Sequence, residues 1–163
     1  MNEILANIRT VRRQEYRKCI KNGFTIEQSL DASILTLLNK KTFERQGLII
    51  SSQELLHTEN YVKKILSKNI GRLTICKNKL GLPVSACLFM FDNKTGYYHI
   101  GGSDPDYRNE GVSSYTLLEQ IHYCLKQGLS SIDFMGINSP NRGDFKTSFN
   151  ADPKAYFDLS FKN

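Results

Sequence analysis

Apolar and polar residues follow two different periods along the chain. Over residues 3–21 they recur at helical spacing, with Ile4, Ile8, Val11, Tyr16 and Cys19 near one stripe, and Asn22-Gly23 reads as a C-terminal stop. Residues 24–28 alternate like a short strand. Asp31 is placed to cap a second helix running to about residue 46, with Ile34, Leu35, Leu37, Leu38 and Phe43 inside and Gly47 after it. Ser51-x-x-Glu54 is a capping box before a third helix, whose buried side is Leu55, Tyr61, Val62, Ile65 and Leu66.

From residue 72 onward the period falls to two. Residues 72–77 read as a strand, Asn78-Lys79 as a turn, and residues 83–91 as a strongly apolar strand. A hairpin turn over residues 92–96 leads into a return strand over residues 97–102. Strict alternation there sets Tyr97, His99 and Gly101 on one face and Tyr98 and Ile100 on the other. Residues 103–111 are polar and irregular. Residues 112–127 form a helix with Tyr115, Leu118, Ile121, His122 and Leu125 at helical spacing. Then come a short buried strand over 131–135, a loop over 136–143, a helical turn over 144–149 and a last strand over 155–161. This order predicts one domain of α+β class: a mixed, largely antiparallel α/β sheet with helices packed on it.

Composition narrows the class. With 163 residues, 40% hydrophobic and 23% charged, the chain is neither disordered nor collagen-like. No stretch approaches the roughly 18 apolar residues of a membrane span. The first residues lack a basic run followed by an apolar one, so no signal peptide and a cytoplasmic location are expected. The four cysteines form no Cys-x-x-Cys pair and read as reduced thiols, with Cys87 and Cys124 as small buried apolar residues. The three histidines have no metal-ligand spacing, so no metal is expected. The net charge is +6, and residues 1–21 hold six basic residues against two acidic ones. Such a cluster attracts phosphates, nucleic acid or anionic surfaces, and it also describes a plain solvated helix face.

The most informative stretch for chemistry is residues 97–114. A strand ends in Gly101-Gly102, a loop follows, and a helix begins at Gly111 with Ser113 and Ser114 after it. Free N–H groups at a helix start, with the helix dipole, suit an anion. Arg108 adds a positive charge. An ordinary strand–loop–helix connection would carry the same glycines. The unperturbed pKa of a histidine such as His99 suits a general base, and the residue also reads, more simply, as a half-buried strand histidine or one on the opposite face. Asp104 and Tyr107 follow it in the loop.

Arg108-x-x-Gly111-x-Ser113 resembles the acyl-CoA pyrophosphate loop of the GNAT superfamily, written Arg/Gln-x-x-Gly-x-Gly/Ala, with serine at the last small position. The wider run is similar to the second GNAT-like domain of FemAB-type acyltransferases. It includes Gly101-Gly102-Ser103-Asp104-Pro105 and the late segment Asp133-Phe134-Met135-Gly136, Asn138-Ser139-Pro140 and Phe145-Lys146-x-x-Phe149. Asn150 stands where that group has glycine.

The resemblance implies a GNAT-like fold and an N-acyltransferase that moves an acyl group from acyl-CoA, such as acetyl-CoA, to an amine. The amine would belong to a small molecule or a cell-envelope precursor. The pantetheine arm would lie along Ile100, Gly101, Gly102 and Ser103. The pyrophosphate would sit on Arg108, Asn109, Glu110, Gly111, Val112, Ser113 and Ser114. His99, Asp104 and Tyr107 would serve the chemistry, and Asn138, Arg142, Phe145 and Lys146 the acceptor. FemAB-type relatives use aminoacyl-tRNA instead, so tRNA is an alternative partner, as is a non-catalytic module binding CoA or nucleic acid. Those relatives usually carry two such domains, and this chain has room for one; a second copy of the chain would be one source of the missing surface.

Overall fold

The computed structural model describes residues 1–137, 140–155 and 160. The expected first helix is two helices. α1 (Asn2–Asn7) and α2 (Thr10–Lys21) meet at Ile8, whose backbone is extended with φ −107° and ψ 162°. The break turns Ile8 into the core, and Arg9 donates its amide to the Ser148 carbonyl, 3.1 Å away. Apolar spacing on the two sides of the break fits one stripe, so periodicity alone does not reveal it. α2 ends at Asn22 and Gly23, with Gly23 at φ 75°. The Phe24 amide reaches back to the Cys19 carbonyl at 3.1 Å, and Phe24 is buried against the core.

β1 (Thr25–Ser29) leads to α3 (Ala32–Arg45) and α4 (Ser52–Ser67). Asp31 accepts from the Ser33 amide, and Ser51 with Glu54 completes the capping box. Leu37 and Tyr61, expected inside, are exposed at 56% and 40%. Leu35 and Leu38 meet the sheet in place of Leu37, and the Tyr61 hydroxyl reaches out to a polar partner described below.

β2 (Gly71–Lys77), β3 (Pro83–Phe91) and β4 (Thr95–Ser103) follow as hairpins. A 3-10 helix (Pro105–Glu110) runs into α5 (Val112–Lys126), which crosses over to β5 (Ser131–Asp133); α6 (Pro140–Thr147) comes after it. The sheet order is β1-β2-β3-β4-β5, antiparallel throughout except for the parallel β4–β5 pair. The architecture is the expected mixed sheet flanked by helices.

Three details differ from expectation. β5 is three residues long, and two of them are exposed rather than buried. α6 begins at Pro140, inside the expected loop, because proline's fixed φ suits a first helical turn. Leu125 on α5 is exposed. The strand expected over 155–161 falls largely outside the described residues.

The sheet separates two apolar clusters. Leu35, Leu38, Val62, Ile65, Leu73, Ile75 and Leu88 fill the α3–α4 side. Tyr16, Cys19, Cys87, Phe89, Val112, Leu117 and Leu118 fill the side covered by α2 and α5.

A bulge in β4 overturns the strict alternation expected there. Leu88 pairs with Ile100 and Phe89 pairs with Tyr98, which leaves His99 without an opposite residue on β3. Ile100 therefore joins the α3–α4 side, while Tyr98 joins Phe89 on the α5 side. A Cβ added to Gly101 would overlap the Tyr98 hydroxyl, so Tyr98 and Gly101 share a face.

Candidate acyl-transfer site

β4 and β5 pair through three residues only. Thr95, Gly96 and Tyr97 oppose Ser131, Ile132 and Asp133, and the pairing then stops. Among the described residues, the rest of β4, from Tyr98 to Ser103, has no strand on that edge. Beyond the split the chain turns at Met135, with φ 59°, whose amide donates to Asp133 Oδ1 at 2.6 Å.

Aromatic rings line this parting. Tyr98 meets Phe134 edge-on at 6.4 Å, Phe134 stacks on Phe149 at 5.8 Å, and Phe145 meets Phe149 edge-on at 5.1 Å. Lys146 on α6 lies 5.9 Å over the Tyr98 ring and donates to the Gly136 carbonyl at 2.6 Å. Phe145 and Lys146, two of the expected acceptor residues, thus belong to one wall of the parting. Asn138 and the side chain of Arg142 lie outside the described residues.

The open part of β4 is clamped from the other side by α3. Asn39 Nδ2 donates to the Gly101 carbonyl at 3.0 Å, and the Ser103 amide donates to Thr42 Oγ1 at 3.0 Å. A Cβ on Gly102 would collide with the backbone of Leu38 and Asn39. Two of the main-chain groups expected to meet a pantetheine arm are therefore already engaged, although a carbonyl keeps a second lone pair. Ile100 turns its side chain into the α3–α4 cluster and offers only main chain.

α5 starts on Gly111, at φ 80°, with no side chain capping it. Its first amides have no intrahelical acceptor, as at any helix start, and here no serine, threonine or aspartate replaces one. Ser113 is small and partly exposed, and the side chain of the exposed Arg108 has no hydrogen bond or ion pair among the described residues. These features fit a pyrophosphate. The rest of the expected loop is turned toward α2. Glu110 pairs with Lys18 at 3.1 Å and accepts from Asn22 at 2.7 Å, and the Asn109 carbonyl accepts from Lys18. The Ser114 hydroxyl donates to Glu15, and Val112 is fully buried.

Arg12 ties this corner together, though nothing in its local sequence marks it. It is 14% exposed, lies 4.8 Å over the Phe145 ring, and donates to Ser148 Oγ at 2.7 Å and Glu15 at 2.6 Å. The basic cluster at the start of the chain is thus partly consumed internally: Arg9 pairs with Asp144, Arg12 with Glu15 and Lys18 with Glu110.

The three candidate acid–base residues are not brought together. Tyr61 Oη lies 2.8 Å from His99 Nε2, and burial lowers the His99 pKa, which favours the neutral ring. Asp104 caps the 3-10 helix and accepts from Lys41 at 2.5 Å. Burial pushes its carboxyl up, but the Lys41 ammonium and the Asp106 amide outweigh this and hold it below the ordinary value. The Tyr107 hydroxyl accepts from Asn78 at 2.8 Å and its ring packs edge-on against Phe24. Sequence reasoning misses Tyr61 and Lys41, because their partners lie 38 and 63 residues away.

The four cysteines are buried and free. Burial pushes Cys19 and Cys76 up to about 12 and Cys124 up to about 11, so none is a thiolate nucleophile. Among the described residues no group of His, Cys, Asp or Glu could hold a metal, and no helix is long and apolar enough to cross a membrane.

Comparison with known proteins agrees with the fold. No curated protein sequence matches the chain. A possible acetyltransferase from Clostridium difficile 630 superposes with TM-score 0.69 at 14% identity, over 86% of this chain and 97% of that one. FemX superposes with TM-score 0.69 at 14% identity over 90% of this chain, which spans 54% of FemX. A predicted acetyltransferase with acetyl-CoA from Clostridium acetobutylicum superposes with TM-score 0.65 at 13% identity, over 84% and 96% of the two chains. At these identities the likeness is one of fold. The sequence model of the acetyltransferase (GNAT) domain matches residues 6–147, and the chain belongs to that family.

Proposed function

We propose that the chain is an N-acyltransferase that takes an acyl group from acyl-CoA and delivers it to the amine of a small molecule or cell-envelope precursor. The observation that carries this reading is the end of β4–β5 pairing at Tyr97, beside an α5 that starts uncapped on Gly111. Acyl-CoA supplies an activated thioester. Arg108, Ser113 and the first amides of α5 would hold its pyrophosphate. Gly101 and Ser103 would offer main chain to the arm, sharing it with Asn39 and Thr42. Phe145 and Lys146 would bound the acceptor.

For a direct transfer the protein has to position two reactants and give the amine proton a route. His99 suits that route better than Asp104 or Tyr107. Its imidazole is held neutral by burial and has one nitrogen fixed by Tyr61, whereas the other two groups are engaged in capping and packing. The aminoacyl-tRNA alternative loses part of its support, since Arg9, Arg12 and Lys18 already have acidic partners.

Calorimetric titration with acetyl-CoA tests the proposal. Saturable binding is expected, weakened about ten- to a hundredfold by Arg108→Ala, because one charge-assisted phosphate contact is worth about 1.5–3 kcal/mol. Absence of acetyl-CoA binding alongside salt-sensitive tRNA binding would overturn it.

A further inference from the structure

Nε of Arg72 is buried without a hydrogen-bond partner, the only side-chain nitrogen or oxygen so placed among the described residues. The guanidinium lies 3.9 Å from the centroid of the Tyr123 ring and forms no ion pair among those residues. A cation held against an aromatic face is partly compensated, but its buried Nε still lacks an acceptor, which is costly. It lines an open pocket of about 170 Å³ between the β1–β2 edge and the C-terminal half of α5, together with Lys126 and His122.

Two other polar residues of this pocket already have partners. Thr74 donates its hydroxyl to Gln120, and Glu119 accepts from Tyr16 at 2.5 Å. The Met1 ammonium lies 3.2 Å from His122 Nδ1, which adds a third positive charge nearby. A neutral His122 ring accepting there has its other nitrogen, Nε2, as a donor. Glu119 keeps a second carboxylate oxygen and its single negative charge, but Arg72, Lys126 and the Met1 ammonium leave the sum of charges around the pocket positive.

We infer that this pocket binds a small oxyanion, a phosphate or carboxylate group, through Arg72 and Lys126. The planar guanidinium fork matches two oxygens of such a group, and the Lys126 ammonium adds a point charge. The volume suits an ion or small metabolite: a cavity of roughly 150 Å³ takes a benzene-sized molecule. The site is separate from the start of α5. Lys126 is at the far end of that 15-residue helix, about 21 Å away at 1.5 Å per residue. It is independent of the acyl-transfer reading.

The test is an NMR titration of the imidazole ring signals with sodium phosphate, and separately with sodium succinate, against sodium chloride at matched ionic strength and pH. Saturable movement of His122 with either anion, without the same movement of His57 and His99, supports the site and names the group it prefers. Arg72→Met keeps an apolar contact on Tyr123 and should weaken binding tenfold or more. Lys126→Ala, at an exposed position, should weaken it severalfold without disturbing the core. Drift common to all three histidines, or saturation unchanged in both variants, would overturn the inference.

Discussion

Glu15 of α2 fills the space that a side chain at position 111 would need. A Cβ on Gly111 would collide with Cβ and Cγ of Glu15, and the glycine also sits at φ 80°. The glycine that sequence comparison assigns to a phosphate is therefore demanded first by the packing of two helices. Glu15 in turn is neutralised by Arg12, so the carboxylate does not leave a bare negative charge beside the start of α5.

Gly111→Ala is accordingly expected to lower stability by about 1–3 kcal/mol, through left-handed strain and overpacking together. Thermal unfolding of the variant measures this. A melting temperature equal to that of the parent would show that α2 does not press on α5 as described.

Gly102→Ala tests the seam between α3 and β4. The added carbon meets main chain at Leu38 and Asn39, which cannot rotate aside as a flexible side chain could. A loss of about 1–3 kcal/mol is expected in denaturant unfolding, with the overall slope unchanged. Gly128→Ala is the control: nothing lies near its Cβ, and only its φ of 80° opposes the substitution.

Asp104→Ala removes a cap and an ion pair in one step. The cap is worth roughly 1 kcal/mol. The pair adds less, because Lys41 is 40% exposed. The native carboxyl has a depressed pKa, so its contribution is complete above the ordinary aspartate value and disappears as pH falls through the lower folded value. Asp104→Asn, which keeps a capping oxygen, should lose that acid-range dependence and little else. Melting curves from pH 7 down to pH 3 distinguish the two variants.

His99 carries a pH dependence of similar direction at higher pH. Burial lowers its folded pKa, so the unfolded chain binds the proton more tightly. Stability is then full above about 6.5, the ordinary histidine value, and falls as pH drops through the folded value. Ring titration by NMR should place His99 below the ordinary histidine value. Tyr61→Phe removes the hydroxyl partner while burial persists, so the depression should survive in that variant.

The helix ends and hairpins were legible because their signals are local. Asp31, Ser51 with Glu54, Gly23 and the Asp92 turn each act within a few residues of themselves. What was not legible depends on contacts across the chain. The break at Ile8 is set by Ser148, and the exposure of Tyr61 by His99. The roles of Arg12 and Glu15 are set by α5 and α6. The bulge in β4 is visible only in the pairing with β3, since Tyr97-Tyr98-His99-Ile100 alternates no worse than a regular strand. Within the loop motif, Glu110 and Ser114 turned out to hold α2.

A strand counts its faces in twos, and the extra residue at His99 makes the count odd from there on. A tyrosine and a glycine three positions apart thus come to lie one over the other, an aromatic lid resting on bare main chain. In an unbulged strand, positions three apart fall on opposite faces, so without the extra residue in the count the lid would have no seat.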